Sequence, residues 1–354
     1  MELKEIAAKA AQSGASDIFL KVGSPPMMRL NSVVVPLDSY PELKGQDTEA
    51  LAYGIMTHEQ IGRFERRHEL DLAFTIDDVA RFRANVYYQR GTIGMVLRIV
   101  PLQILGLNEL GLPEGIKSLA EQRQGLVLVT GPTGCGKSTT LAAVIDIINS
   151  TRKCNIITVE DPIEFVHQDK QSIVSQREIG IDTDSFTDAL KYVVRQSPDV
   201  ILVGEMRDVE TMNVALAAAE TGHLVFSTVH TCSAAETLDR IMNMFPPHDK
   251  LMVCMRLSVS LKGVVSQKLI PRMDKTGRIA AVEVMIANPT ISKLLEEGRS
   301  SQIYQAISEG EYWGMQTMNQ CLDRYCKAGI ISEDEALASA GNYTELKQML
   351  RRAL

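Results

Sequence analysis

Aromatic residues are scarce in this chain: 5% of 354 residues, with one tryptophan. Stacking platforms for single-stranded nucleic acid rely on such rings. Basic residues are not in excess either, since 37 Lys and Arg stand against 44 Asp and Glu and the net charge is −7. Non-specific nucleic-acid binding needs a basic footprint, so that class is argued against, although a local basic groove is compatible with the total. No apolar run approaches the roughly 18 residues of a membrane span. The opening MELKEIAAKA lacks the apolar core of a secretory signal. The six cysteines, Cys135, Cys154, Cys232, Cys254, Cys321 and Cys326, include no C-x-x-C pair. That counts against a structural zinc site, and free thiols in a reducing cytoplasm fit best. Repeats and low-complexity stretches are absent.

What is present is an ordinary globular composition, 45% hydrophobic and 23% charged, at a length that predicts about two domains. The stretch GPTGCGKST, Gly131 to Thr139, fits the phosphate-loop pattern G-x-x-x-x-G-K-[ST]. Its nine residues Gly131, Pro132, Thr133, Gly134, Cys135, Gly136, Lys137, Ser138 and Thr139 are candidate ligands of a nucleotide. Backbone N–H groups must turn inward around phosphate, which needs glycines free to take positive φ. Lys137 would bring a point charge to the β- and γ-phosphates, and the Ser138 hydroxyl would hold Mg²⁺. An accidental Gly-rich turn is the alternative. The flanks oppose it, because Gly125 to Thr130 reads as an apolar strand and Leu141 to Ile148 as a helix. Strand, loop, helix is the context the motif requires.

Upstream, residues 1 to about 100 read as a small α+β domain. Strands are expected at Ile18 to Val22, Met27 to Leu30 and Val33 to Val35, with a turn at Asn31-Ser32. One helix is expected from Asp47 to about Glu69, with Leu51, Ile55, Ile61 and Phe64 inward. In Arg81 to Val86 polar and apolar residues alternate, which puts Arg81, Arg83 and Asn85 on one strand face. A turn at Gln89 to Thr92 leads into Ile93 to Val100, so the hairpin is expected to display Arg81, Arg83, Arg90 and Arg98 near one another. A solvated face or a phosphate of another subunit would each explain them. Pro101 to Pro113 reads as a connector.

Downstream, alternating β and α predicts a mostly parallel sheet, and ligands bind beyond the carboxyl ends of such strands. Asn155 to Val159 is an expected strand ending in Glu160-Asp161-Pro162-Ile163-Glu164, so Glu160 and Glu164 are candidate site residues. Asp199 to Val203 is another, ending in Gly204-Glu205. Glu205 then carries the acid role that orients Mg²⁺ or polarises water. In HLVFSTVH, His223 and His230 lie about 23 Å apart on a strand and cannot share a metal. His230, at the carboxyl end, is the candidate for sensing the γ-phosphate. Helices are expected at Arg207 to Glu220, at Ser185 to Ser197, and along His248 to Leu269, where the methionines read as core filler. Ile279 to Ile286 reads as a strand, and several short helices close the chain, one capped at Ser332.

The set GPTGCGKST, VEDPIEFVH, DVILVGEMRD and ETGHLVFSTVHT, in this order, resembles the secretion-ATPase superfamily. Within it the chain is most similar to type IV pilus retraction ATPases, the PilT and PilU type. GASDIFLKVGSPPMMRLNS and RFRANVYYQR extend the resemblance over almost the whole length. The resemblance implies an α/β chain: an N-terminal PAS-like α+β domain over 1–100, a linker over 101–114, and a RecA-like P-loop ATPase domain with a helical C-terminal part over 115–354. It further implies a homohexamer that hydrolyses ATP with Mg²⁺ to drive pilus retraction and twitching motility. ATP would sit between the domains, with Arg83, Arg90 and Arg98 completing the site. The ring would be cytoplasmic, held at the inner membrane through a pilus platform protein, with a paralogous retraction ATPase as a further partner and no nucleic acid expected. Whether Glu164 or Glu205 is the base stays open.

The sequence departs from the family at two places. Cys135 stands where serine is usual, which adds an oxidation-sensitive thiol to the expectations. The segment AIRNLIREGK, tied to retraction in the family, is here ISKLLEEGRS, Ile291 to Ser300, with Ser292, Lys293 and Glu296 in place of arginine and asparagine. A PilU-like accessory role and a RecA-like nucleic-acid translocase are the other enzyme readings. An ATP-binding assembly partner with little turnover is the non-enzyme one.

Overall fold

The computed structural model describes residues 2–30, 33–38, 40–100 and 104–351. The expected turn at Asn31-Ser32 and the start of the expected connector at Pro101 lie outside them. The chain divides into two units, Met1–Gln103 and Ile104–Leu354.

In the first unit, strands β1 (Asp17–Leu20), β2 (Met27–Leu30), β3 (Val33–Pro36), β4 (Glu69–Ile76), β5 (Ala80–Gln89) and β6 (Thr92–Val100) form one sheet in the order β3-β2-β1-β6-β5-β4. The alternation along β5 holds: Phe82, Ala84 and Val86 are buried while Asn85 is exposed. They join Ile18, Leu20, Met95 and Leu97 in a core with Ile6, Leu51 and Phe64 of the helices Leu3–Gln12, Gly45–Tyr53 and His58–Arg67. The single helix expected from Asp47 to Glu69 is therefore two. Thr57 breaks it: its side chain accepts from Gln60 N at 3.3 Å and its N–H donates to Gln60 Oε1 at 2.9 Å. That capping box restarts the helix on a new axis, and His68, at φ 64°, ends it. Leu51 and Phe64 are buried as expected, whereas Ile55 and Ile61 are only half-buried. Neither the first helix nor β4 was anticipated.

In the second unit, β7 (Gly125–Thr130), β8 (Asn155–Glu160), β9 (Ile173–Glu178), β10 (Val200–Val203), β11 (Leu224–Val229), β12 (Leu261–Pro271) and β13 (Arg278–Ile286) make a sheet in the order β13-β12-β7-β11-β10-β8-β9. All neighbours are parallel except β12 and β13. Strands β7, β10 and β11 are buried at every position, the pattern of a parallel sheet covered on both faces. The α/β class expected of the chain is the class found.

One expectation fails in an informative way. His248 to Leu269 is a helix only over Lys250–Ser260; a turn precedes it, and from Leu261 the chain is β12. The β-branched pair Val264-Val265 is buried on both sides, which suits a strand beside β7. The methionines are not filler either, since Met252 and Met255 are 50% and 52% exposed. The C-terminal helices Met318–Lys327, Glu333–Ser339 and Tyr343–Arg351 pack a small core of Cys321, Leu322, Tyr325 and Leu346. Ser332 caps as expected, accepting from Glu335 N at 3.2 Å. Among the described residues no helix is long and apolar enough to cross a membrane.

Candidate nucleotide site

The phosphate loop leaves β7 and opens the helix Lys137–Thr151. Gly131, Gly134 and Gly136 have φ of 144°, 77° and 92°, which L side chains rarely adopt. Space also requires glycine at two of them. A Cβ on Gly131 would meet Gln267 O at 2.4 Å, and one on Gly136 would meet Gln267 Nε2 at 2.8 Å. Gln267 of β12 is thus the floor of the cradle. Its amide donates to Cys135 O at 2.7 Å and accepts from Thr140 Oγ1 at 2.8 Å. Lys137 Nζ bridges Gly131 O at 2.9 Å and Pro132 O at 3.1 Å, and so folds back over the loop.

Pro132, Thr133 and Gly134 are exposed on the loop, and Ser138 and Thr139 sit half-buried in the first helical turn. Cys135 is 3% exposed, and burial pushes its thiol up from its ordinary value. A buried, protonated thiol is inert, so the oxidation-sensitive thiol expected there is not found.

Two acids, Glu160 and Glu205, come from the ends of the neighbouring strands β8 and β10. Glu160 ends β8. Its Oε1 accepts from Thr158 Oγ1 at 2.7 Å and Gln176 Nε2 at 3.1 Å, and burial pushes its carboxyl up. Asp161-Pro162 follows as a cis peptide. Glu205 follows β10, one residue past Gly204, where a Cβ would press to 3.3 Å on Glu160 Cα and Val159 O. A side chain there, such as the Asp that commonly holds the position, would be crowded against the end of β8. Arg207 Nη2 lies 2.7 Å from Glu205 Oε2, and His230 Nε2 lies 3.3 Å from Glu205 Oε1. The Arg207 bond is the main reason that the Glu205 carboxyl is held below the usual range.

A cleft of ≈ 650 Å³ collects Thr133, Lys137, Ser138, Glu160, Glu164, Glu205, Arg207 and His230 on its walls. Beside it, a cleft of ≈ 390 Å³ is lined by Leu105, Gly111, Thr139, Arg272 and Arg278. One cavity is suited to charged phosphates, and its neighbour has the mixed walls that a base and sugar need. An ionised Glu205 opposite the Ser138 hydroxyl offers hard oxygen donors, the chemistry that Mg²⁺ takes.

His223 is at the other end of β11, with Nδ1 bonded to Ala218 O at 2.9 Å. It has no part in the cleft.

The candidate arginines belong to the first unit. Arg83 pairs across the ladder with Arg98, and Arg98 in turn with Asp17. Arg98 Nε lies 3.1 Å from Asp17 Oδ1, and Arg29 Nε 3.3 Å from Asp17 Oδ2. Arg81 and Arg83 share that sheet face. Arg90 does not join them. It occupies the hairpin tip at φ 49°, seven residues from Arg83, or about 23 Å along the strand. The expectation of one arginine group holds for Arg81, Arg83 and Arg98 alone, because a two-residue turn fixes Arg90 at the far end.

Sequence reasoning missed Arg207, Gln267 and Arg278. Arg207 had a signal, standing two residues after the candidate acid Glu205 in GEMRD. Gln267 had none while its segment read as helix.

The chain matches the Type II/IV secretion system protein family over residues 2–333. It is 47% identical over 340 residues to the type IV pilus retraction ATPase PilT of Pseudomonas aeruginosa, covering 96% of this chain and 98% of that one. It is 41% identical over 351 residues to the type IV pilus ATPase PilU of the same organism, covering 99% and 92%. A crystal structure of the pilus retraction motor PilT with bound ADP superposes with a TM-score of 0.91 at 44% identity, covering 98% of this chain and 99% of that chain. The chain belongs to the Type II/IV secretion system protein family.

Proposed function

We propose that this chain is an ATP hydrolase that works as the motor of type IV pilus retraction. The observation that carries this reading is one cleft holding a phosphate cradle of positive-φ glycines together with the carboxylates of Glu160, Asp161, Glu164 and Glu205 and with His230. Lys137 leaves the loop carbonyls for the β- and γ-phosphates. Ser138 and Glu205 would hold Mg²⁺, Glu205 partly through water, and the ion would supply positive charge to the phosphates. Glu164 and Glu205 orient the attacking water, Glu160 supports them from β8, and His230 reads the γ-phosphate through its contact with Glu205. The base and ribose take the neighbouring cleft at Thr139 and Arg278.

The working unit is a homohexamer, in which Arg83 and Arg98 from an adjacent copy complete each site, with Arg90 at the hairpin tip reaching it separately. A trans arginine supplies transition-state charge worth about 10³–10⁵ in rate. The ring acts in the cytoplasm on an inner-membrane platform protein, alongside a paralogous ATPase. Deleting the gene in its host tests the reading: excess pili with loss of twitching supports retraction, and unchanged piliation overturns it.

A second reading, an accessory PilU-like ATPase, draws on the altered segment Ile291 to Ser300. There Lys293 and Glu296 are exposed on the helix Pro289–Glu296, offering different charge to a partner. Pili that still retract, with reduced force, upon deletion favour it.

A further inference from the structure

Strand β9 was not anticipated, and it is the last strand of its sheet. Among the described strands its backbone pairs only with β8, with Glu178 opposite Glu160. Two polar side chains on one face of it turn toward the loop that follows β8. Gln176 Oε1 accepts from His167 N at 2.8 Å. Its Nε2 donates to Phe165 O at 2.8 Å and Glu160 Oε1 at 3.1 Å. Two residues along, Glu178 is 4% exposed and accepts from Ile163 N at 3.2 Å. An amide with one acceptor and two donors, all engaged, has a single orientation. Flipped, it would set oxygen against a carbonyl and a carboxylate. Glu178 is buried and Gln176 half-buried, and a strand that served only to extend the sheet would have no need to take such groups out of water, because doing so is costly unless each finds a partner.

We propose that Gln176 is a positioning residue for ATP hydrolysis: it ties Glu160, Phe165 and His167 together, so that β9 sets where the acidic loop stands against the phosphate loop. The chain of contacts runs from Gln176 to Glu160 and from Glu160 to the backbone amide of Glu164. Loss of the amide leaves the nucleotide cradle whole, since the cradle is braced by Gln267 on β12 at the other side of β7. Affinity and turnover therefore separate. The inference rests on reading the acidic loop as part of an ATP-hydrolysing site.

The test is Gln176→Met in the full-length protein, which keeps the volume and removes the three bonds. The expected result is a kcat for ATP lowered at least about tenfold, with ADP affinity within about twofold and full binding stoichiometry, because small misplacement of a reacting group is costly. Single-turnover hydrolysis then compares Gln176→Met alone and in a Glu160→Gln background. If Gln176 acts through Glu160, the second substitution has little further effect. Independent, multiplying losses would overturn the proposal, as would an unchanged kcat or a loss confined to ADP affinity. Should Gln176→Met not fold, Gln176→Glu retains the acceptor for His167 N and removes both donations, and the same outcomes decide. A wild-type protein without ATP turnover would sink the functional reading itself; an active wild type with a fully active Gln176→Met sinks only the positioning role.

Discussion

Gln267 Nε2 donates to Cys135 O across 2.7 Å, and this bond couples the phosphate loop to a strand 132 residues further along the chain. The same side chain takes the Thr140 hydroxyl at 2.8 Å, so one amide braces the loop and the first turns of its helix together. Beneath it, Thr130 Oγ1 donates to Ser266 Oγ at 2.9 Å. The loop's shape thus depends on β12 as well as on its own glycines.

Gln267→Leu is expected to leave Cys135 O and Thr140 Oγ1 buried without partners. Each such group costs about 1–3 kcal/mol. Denaturant unfolding should show a lowered midpoint, and KM for ATP should rise because the cradle loses its floor. An unchanged midpoint together with an unchanged KM would remove Gln267 from the site.

The Gln267 contact also marks the limit of what the sequence revealed. The glycines and the strand–loop–helix order made the cradle legible, because positive φ and burial leave local signatures. The acids at the ends of β8 and β10 were legible for the same reason, since an apolar run stops at each. Gln267 was hidden because its segment contains enough leucine and methionine to imitate a helix, and only pairing with β7 makes it a strand. Gln176 was hidden differently: its role lies in contacts with Glu160, Phe165 and His167, which no local period encodes. Arg207, two residues from Glu205, stands in plain view in GEMRD but reads there as the start of a helix. In the first unit, alternation along β5 put Arg81 and Arg83 on one face correctly. The distance of Arg90 from them follows from the tight turn.

Glu205→Gln should bind ATP and hydrolyse it slowly, since the amide keeps the shape but gives up the charge that Arg207 and His230 face. Lys137→Ala is the contrasting case, removing the cation that meets the phosphates, and turnover should vanish. Malachite-green phosphate release and nucleotide-affinity measurements separate the two. Loss of ATP binding in Glu205→Gln would mark Glu205 as structural.

His167 sets a pH dependence of stability. It is 9% exposed, and burial pulls its pKa down to about 4 from the ordinary 6.5. Between those values the unfolded chain takes up a proton that the folded chain refuses. The contribution is therefore complete above about pH 6.5 and is lost as pH falls toward 4, on the order of 3 kcal/mol. His167→Gln should flatten the decline of the thermal midpoint across that window. Equal slopes in the two proteins would mean that other groups carry the acid sensitivity.

Arg83 and Arg98 lie opposite each other on β5 and β6, and the proposed ring has them act on a neighbour's nucleotide. Co-expression distinguishes this from action within one chain. Lys137→Ala lacks a working loop but has intact arginines, and Arg83→Ala has the converse, so each homomeric ring should be nearly inactive. In a random mixed ring, a site regains both parts when an Arg83→Ala loop adjoins a Lys137→Ala arginine face. With equal amounts that occurs at roughly a quarter of the sites, one half times one half, for a head-to-tail interface. Turnover per ring should recover toward that fraction. Arginines working only within their own chain could not be shared, and the mixture would then stay as inactive as its parents.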